Sequence, residues 1–257
     1  MESCLIGYTG FIGKHLDRIF QPSERYNSTN IEKIRGKSFD TVYFSGNSGV
    51  KWLANKNHVK DYENISKTIE ILRGISAKRF VLISTIDVYS SPILVNESSE
   101  ILIDTLQPYG QHRYQFELFV REAFKKHFIL RLPVVYGEGF KKNVIYDLIN
   151  KHEIEKISPD WHMQFYNINN IGREILYMFE KNISLLNIAT EPLSTTKIAN
   201  DIFDTNLLVN ERSHFSTNML TKYSQNYNHD GGGYLYSSDE VMDDLLSFSK
   251  KYVVGSL

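Results

Sequence analysis

Short continuous apolar runs alternate with runs of helical spacing through the first half of the chain. Ser3 to Ile6 is a brief apolar run ending at a glycine, which predicts a buried strand. From Phe11 to Phe20 the positions Phe11, Ile12, Leu16, Ile19 and Phe20 share one helical face, and Pro22 ends the pattern. A weak strand is expected within Arg25 to Asn27, then a helical turn within Ile31 to Lys37. Thr41 to Ser45 reads as a strand, followed by a loop through Gly46 and Gly49. Tyr62, Ile65, Ile69 and Leu72 predict an amphipathic helix with Gly74 as its C-cap. Phe80 to Ser84 is continuously apolar, as in a strand covered on both faces. Tyr109, Arg113, Phe116, Val120 and Ala123 return to helical spacing, and Phe128 to Leu132 forms a further strand stopped by Pro133. Strand and helix patterns that alternate in this way predict βαβ units around a parallel sheet.

Beyond Pro133 the alternation loosens. Val144 to Asn150 reads as a helix, Met163 to Tyr166 and Leu186 to Ile188 as short strands. Thr195 to Phe203 reads as a helix with Thr195 or Thr196 as its N-cap. No clean domain boundary is visible. The expectation is a single unit over residues 1–257, with a core to about residue 135 and a mixed remainder that contributes a small C-terminal substrate-binding part.

Between the first strand and the first helix lies Gly7-Tyr8-Thr9-Gly10-Phe11-Ile12-Gly13. In that place three glycines serve a tight turn, a close backbone approach to a pyrophosphate at the positive helix end, and close packing of helix on strand. The motif marks a dinucleotide-binding turn, so the fold class is α/β, a Rossmann-type doubly wound parallel sheet. A carboxylate for the adenosine ribose belongs near the end of the second strand. Asn27-Ser28-Thr29-Asn30 stands there instead. The absence of a negative charge leans toward NADP over NAD, although no arginine follows to meet a 2′-phosphate.

Four segments in order carry a family resemblance: GYTGFIG at 7–13, LISTIDVYS at 82–90, YGQHR at 109–113 with Glu117 after it, and RLPVVYGEG at 131–139. Together they resemble the extended short-chain dehydrogenases/reductases of the NAD-dependent epimerase/dehydratase group. The resemblance is good to about residue 140 and loose beyond. It implies a cofactor held by Gly7, Thr9, Gly10, Phe11, Ile12, Gly13, Asn27, Ser28, Ser45, Gly46, Leu132, Pro133 and Val134. It also implies a catalytic set of Thr85, Tyr109 and Arg113, the last two in contact with the cofactor as well. Arg113 is a departure, because the family carries lysine there. Tyrosine ionises near pH 10, so it needs a nearby cation to act as a base at neutral pH. Arg113, one turn along a helix, can supply that charge but cannot release a proton. In the family's dehydratases an acidic pair follows the threonine. Ile86 occupies the first of those positions, which argues against dehydration and leaves reduction, oxidation or epimerisation.

Substrate contacts are expected from Asp87 near the same strand end, from Lys51 and Trp52 after the third strand, from Lys141, Lys142 and Asn143, and from Gln164. For each there is a plainer alternative: solvated lysines, a buried Trp anchor, sheet core. His112 is expected on the surface, and His229-Asp230-Gly231-Gly232-Gly233 reads as a turn rather than a phosphate loop.

Composition narrows the partners. The chain has 257 residues and a formal charge of −1, so no bulk attraction draws it to nucleic acid or an anionic membrane. No apolar run spans a bilayer, and the glycine motif begins too early for a leader to precede it, which predicts a cytoplasmic protein. A lone cysteine, Cys4, and eight histidines without ligand spacing predict no disulfide and no metal site. The expected function is an NAD(P)-dependent reductase or epimerase of a nucleotide-linked sugar. The alternatives are a non-catalytic NAD(P)-binding regulatory or assembly protein and a reductase of another small carbonyl compound. The apolar stripe on the Tyr109 helix permits a homodimer.

Overall fold

In the computed structural model, residues 2–209, 215–227 and 232–254 are described. The chain forms two compact units that it enters more than once. The first comprises Met1–Ser90, Glu100–Arg131 and Asn169–Leu186; the second comprises Ser91–Ser99, Leu132–Ile168 and Asn187–Leu257.

The first unit begins with β1 (Ser3–Ile6), α1 (Phe11–Phe20), β2 (Glu24–Tyr26) and β3 (Ser38–Phe44). It continues with α2 (Lys51–Lys56), α3 (His58–Leu72), β4 (Ser76–Thr85), α4 (Pro108–Ala123) and β5 (His127–Leu132). β6 (Val134–Tyr136), α5 (Val144–Asn150), β7 (His162–Met163) and β8 (Phe165–Asn167) follow in the second unit. The chain then returns to the first with α6 (Ile171–Lys181) and β9 (Leu185–Asn187), and finishes with β10 (Leu193–Ser194), α7 (Thr195–Phe203) and α8 (Ser238–Val254).

Six strands form the main sheet in the order β2-β1-β3-β4-β5-β9. β1 pairs parallel with β2 on one side and β3 on the other, and β3 pairs parallel with β4. The chain therefore reverses its direction of winding between β1 and β3, the place where sheets of this kind bind ligands. The sheet is the doubly wound parallel type that the alternating pattern predicts. Its first half is abbreviated. After β2 the chain makes only a 3-10 turn at Ile31–Ile34 before entering β3, so no helix crosses over there.

The central strands are buried on both faces, and Phe44, Phe80, Phe116 and Phe124 stack along the sheet–helix interface. Cys4 lies fully buried among them, which makes it a packed filler. α3 presents Ile65, Ile71 and Leu72 to this core, but its buried stripe also contains Asp61. A carboxylate on an apolar stripe requires a partner.

In the second unit β6 pairs parallel with β8, and β7 pairs antiparallel with β10. Gln164 interrupts what reads in sequence as one strand from Met163 to Tyr166. Its amide donates to the Thr190 and Met219 carbonyls at 2.5 and 2.8 Å and accepts from the Met219 N–H at 2.7 Å.

Several boundaries differ from expectation. The segment after Gly49, to which the pattern assigns no element, forms α2, because Lys51 to Lys56 lacks any helix breaker. α7 is capped by the Ser194 hydroxyl, which accepts from the Lys197 N–H, rather than by Thr195 or Thr196. Thr195 and Thr196 instead donate to the Ser158 and Pro159 carbonyls. α6 and α8 were not foreseen. His229, Asp230 and Gly231 lie outside the described residues. No described helix is long and apolar enough to cross a membrane.

Candidate active site

Two loops meet at the reversal point between β1 and β3. Gly7 follows β1 with φ +92°, and a Cβ there would lie 2.6 Å from the Ser45 carbonyl. Gly13 in α1 passes so close to Gly7 that a Cβ would fall 1.9 Å from the Gly7 oxygen. The protein's own packing thus demands both glycines. Gly10 is different. It is the N-cap of α1 in ordinary extended geometry, and a Cβ would meet only the Gly7 oxygen at 3.4 Å. Nothing within the fold requires it to be glycine. No side chain caps this helix end, and no acidic residue stands in its first turn. An uncovered positive helix end beside a residue kept bare toward solvent fits a bound pyrophosphate.

The Asn27–Asn30 segment is closed on itself. Asn27 Oδ1 accepts from the Thr29 N–H and hydroxyl, and Asn30 Oδ1 accepts from the Asn27 N–H. Ser28 is exposed at its tip, and the preceding Arg25 pairs with Asp17 at 2.6 Å.

On the other side of the reversal point, β4 ends at Thr85 and α4 begins at Pro108. Pro108 suits the first helical position because its missing N–H would have no partner there. Gln107 gives no side-chain cap; Asn55 of α2 does this work, its Oδ1 accepting from the Tyr109 N–H at 2.9 Å. A Cβ on Gly110 would fall 2.0 Å from the Asp87 carbonyl oxygen, so this glycine lets α4 press against the strand end. Tyr109 is thereby buried beside Thr85 and Asp87. Thr85 Oγ1 donates to Asp87 Oδ2 and accepts from the Asp87 N–H, both at 3.1 Å. Lys51 Nζ completes the chain at Asp87 Oδ1, 2.5 Å away.

Arg113 stacks on Tyr109, its guanidinium carbon 4.4 Å from the ring centroid. Its Nη1 donates to Asp61 Oδ2 at 2.7 Å, and its Nη2 to Asp61 Oδ1 at 3.0 Å and the Ser48 carbonyl at 2.7 Å. His112 Nδ1 also meets Asp61 Oδ2 at 2.7 Å. His112 is therefore buried, contrary to the surface position expected of it; α3 covers its face of α4. Burial pushes the Tyr109 phenol above the ordinary tyrosine value, and the Arg113 charge opposes that while Asp87 adds to it. For Asp61, burial acts upward, but the hydrogen bonds and charges of Arg113 and His112 prevail and hold the carboxyl below the usual range.

Beneath these groups Glu117 of α4 is fully buried. It accepts from Ser84 Oγ at 2.6 Å, from Arg131 Nε and Nη2 at 3.0 and 2.6 Å, and from Arg121 Nη2 at 3.2 Å. Arg131 Nη1 donates to the Tyr89 hydroxyl at 2.6 Å. One ionic cluster thus ties β4, α4 and β5 together below the site.

Sequence reasoning did not find Asp61, Asn55, Ser48 or Gly110. Asp61 had a legible signal: four residues before Ile65, it is an acid on an apolar helical stripe. The other three act through backbone proximity, which has no sequence signature.

Among the other expected substrate residues, Trp52 is 65% exposed, so it is not a buried anchor. In the second unit Leu132 is buried next to Pro133 and the start of β6 at Val134. Lys141 and Lys142 are exposed. Asn143 caps α5, accepting from the Tyr146 N–H at 3.1 Å and donating to the Val135 carbonyl at 2.8 Å. The amides of Asn143 and Gln164, both expected to contact substrate, are engaged by neighbouring backbone in this structure. Among the described residues, no group of three or more His, Cys, Asp or Glu could hold a metal.

The fold and this constellation define a dinucleotide-binding protein of the short-chain dehydrogenase type. The model of the NAD-dependent epimerase/dehydratase family matches residues 24–165, more than half of the chain, and the protein belongs to that family. The match starts after the glycine turn and includes Thr85, Tyr109 and Arg113. No curated protein matches the sequence. Solved structures share the fold at low identity. UDP-glucose 4-epimerase from Thermotoga maritima, solved with UDP-glucose, is 14% identical with a TM-score of 0.73, covering 100% of each chain. UDP-N-acetylglucosamine 4-epimerase from Methanobrevibacter ruminantium, in complex with UDP-N-acetylmuramic acid, is 14% identical with a TM-score of 0.73, covering 99% of this chain and 98% of its own. dTDP-4-dehydrorhamnose reductase from Bacillus anthracis, in complex with NADP, is 16% identical with a TM-score of 0.72, covering 98% of this chain and 99% of its own.

Proposed function

We propose that the protein is an NAD(P)-dependent reductase or epimerase that moves a hydride at a carbon of a nucleotide-linked sugar. The observation that carries this reading is the burial of Tyr109 beside Thr85, under a fixed arginine, in the unit that holds the bare Gly10 turn. Family membership and the sugar-nucleotide enzymes that share the fold support it. A nicotinamide dinucleotide, when bound, supplies the hydride donor or acceptor; the turn from Gly7 to Gly13, with Ser45 and Gly46, would hold it.

Tyr109 Oη exchanges the proton of the reacting sugar hydroxyl. Thr85 Oγ1 steadies the same oxygen by turning from its bond to Asp87. Arg113 favours the phenolate electrostatically without exchanging protons itself. The closed Asn27–Asn30 turn carries no acid, in keeping with NADP, while the pairing of Arg25 with Asp17 removes the nearest guanidinium. The reading places the enzyme in the cytoplasm, with α3 and α4 available to a second copy through exposed Tyr62 and Leu118.

A thermal-shift panel tests the reading: NAD and NADP, each alone and with UDP, GDP, CDP or dTDP. Stabilisation by one dinucleotide and further by one nucleoside diphosphate is expected. No shift with any dinucleotide would remove the proposal. Tyr109→Phe is expected to abolish turnover and leave dinucleotide binding intact.

One observation favours a second reading, a cofactor-binding protein without turnover. Both terminal nitrogens of Arg113 are engaged by Asp61 and Ser48. That reading predicts dinucleotide binding with no hydride exchange for any sugar nucleotide.

A further inference from the structure

The cation beside Tyr109 is an arginine where the family resemblance implies lysine, and the structure supplies a reason in the surrounding contacts. Asp61 of α3 offers two carboxylate oxygens to one fork, and the Ser48 carbonyl approaches the same nitrogen from the loop after β3. A planar guanidinium meets all three oxygens at once; a single ammonium at the end of a flexible stem does not reproduce that geometry. His112, the residue next to Arg113, binds the same carboxylate. Because Asp61 is an acceptor only, His112 Nδ1 carries the proton in that bond. Arg113 and Asp61 are each less than a tenth exposed, at 4% and 8%, so water does not screen them.

We propose that Asp61 is a positioning residue: it holds Arg113 across the Tyr109 ring, and its negative charge limits how strongly that arginine favours the tyrosinate. The carboxylate and the arginine act as a matched pair. The inference takes from the proposed function only the role of Tyr109 as acid/base, and it is independent of the identity of the sugar.

The groups that face Tyr109 are few. Arg113 lies over its ring from the same helix, Thr85 and Asp87 face it from the end of β4, and Lys51 of α2 pairs with Asp87. Asp61 and His112 stand behind Arg113. Removing the Asp61 charge leaves an uncompensated guanidinium on the ring. Tyr109 should then ionise at lower pH, by about one pH unit, the lower end of what a nearby charge produces. The sign is the same whether the enzyme runs as an oxidant or a reductant, because both directions titrate the same phenol.

The test needs no substrate. Protein labelled with carbon-13 at tyrosine Cζ is titrated by NMR, and the Tyr109 signal is assigned by its loss in Tyr109→Phe. In Asp61→Asn the Tyr109 midpoint should fall by about one unit relative to the parent protein. Asparagine keeps an oxygen to accept from Arg113, so the guanidinium stays over the ring; an unchanged or raised midpoint in a variant whose circular dichroism is native would overturn the proposal. If Asp61→Asn does not fold, Arg113→Lys is compared with the double variant Asp61→Asn/Arg113→Lys. With Asp61 present the new ammonium is drawn away from the ring, so the double variant should show the lower midpoint; equal midpoints would likewise overturn it. Failure of the thermal-shift panel with nucleoside diphosphates would leave this result standing, so the two readings fail separately.

Discussion

Glu117→Gln offers the sharpest test of what holds the site together. The substitution keeps the side chain's shape and removes its charge. Glu117 is fully buried and accepts four hydrogen bonds, three of them from arginines. Burial works against the charge of Arg131, but Glu117 and Tyr89 more than offset it and keep the guanidinium protonated. With glutamine at 117, Arg131 remains 1% exposed and charged, with only the Tyr89 hydroxyl and a neutral amide to meet it. Removing one partner of a buried pair costs about 3–5 kcal/mol. For a chain of this size that corresponds to a drop of roughly 6–20 °C in melting temperature. Denaturant melts followed by circular dichroism give the free energy directly. The companion variant Glu117→Leu/Arg131→Met removes both charges and so the buried unpaired guanidinium, but Ser84 and Tyr89 then lose a partner at about 1–3 kcal/mol each, so its recovery is partial. A cost below about 1 kcal/mol for Glu117→Gln would refute the argument, since it would mean that Arg131 finds water or another anion.

The other expected outcomes are separable. Gly13→Ala should destabilise the fold, because its Cβ would strike the Gly7 carbonyl, whereas Gly10→Ala should melt like the parent and bind dinucleotide more weakly; equal melting losses would contradict the assignment of Gly10 to the cofactor. Gly110→Ala forces α4 away from the Asp87 carbonyl at a cost of about 1–3 kcal/mol, and turnover should fall further than stability alone explains. Asp61 has a lowered carboxyl, so its contribution to stability is complete above its unfolded value near pH 4 and disappears as pH falls through the folded one. The stability gap between parent and Asp61→Asn should therefore be widest at neutral pH and narrow in acid; a gap that is constant with pH would show that Asp61 is not ionised in the fold.

The sequence by itself determined the sheet and the first actors of the site. The periods of its apolar residues are a local property, so α1, α5 and α7 have the residue bounds read from the pattern. The glycine turn and Tyr109 with its arginine are equally local, because one turn or one helical step brings their atoms together. α6 escaped notice although Ile171, Ile175 and Met178 form a clear apolar stripe along it, and α2 is only six residues long, too short to show a period. Tertiary structure alone decided the rest. Asp61 and Arg113 are 52 residues apart in the chain, and only the packing of α3 on α4 turns an isolated acid and an odd arginine into a pair. The same packing buries His112, and the contact of Gly110 with Asp87 sets the depth of Tyr109. For Gln164 and Asn143 the sequence gives only the capacity of an amide to hydrogen-bond, a property of residue type; which backbone groups they meet is decided by what the fold brings within about 3 Å.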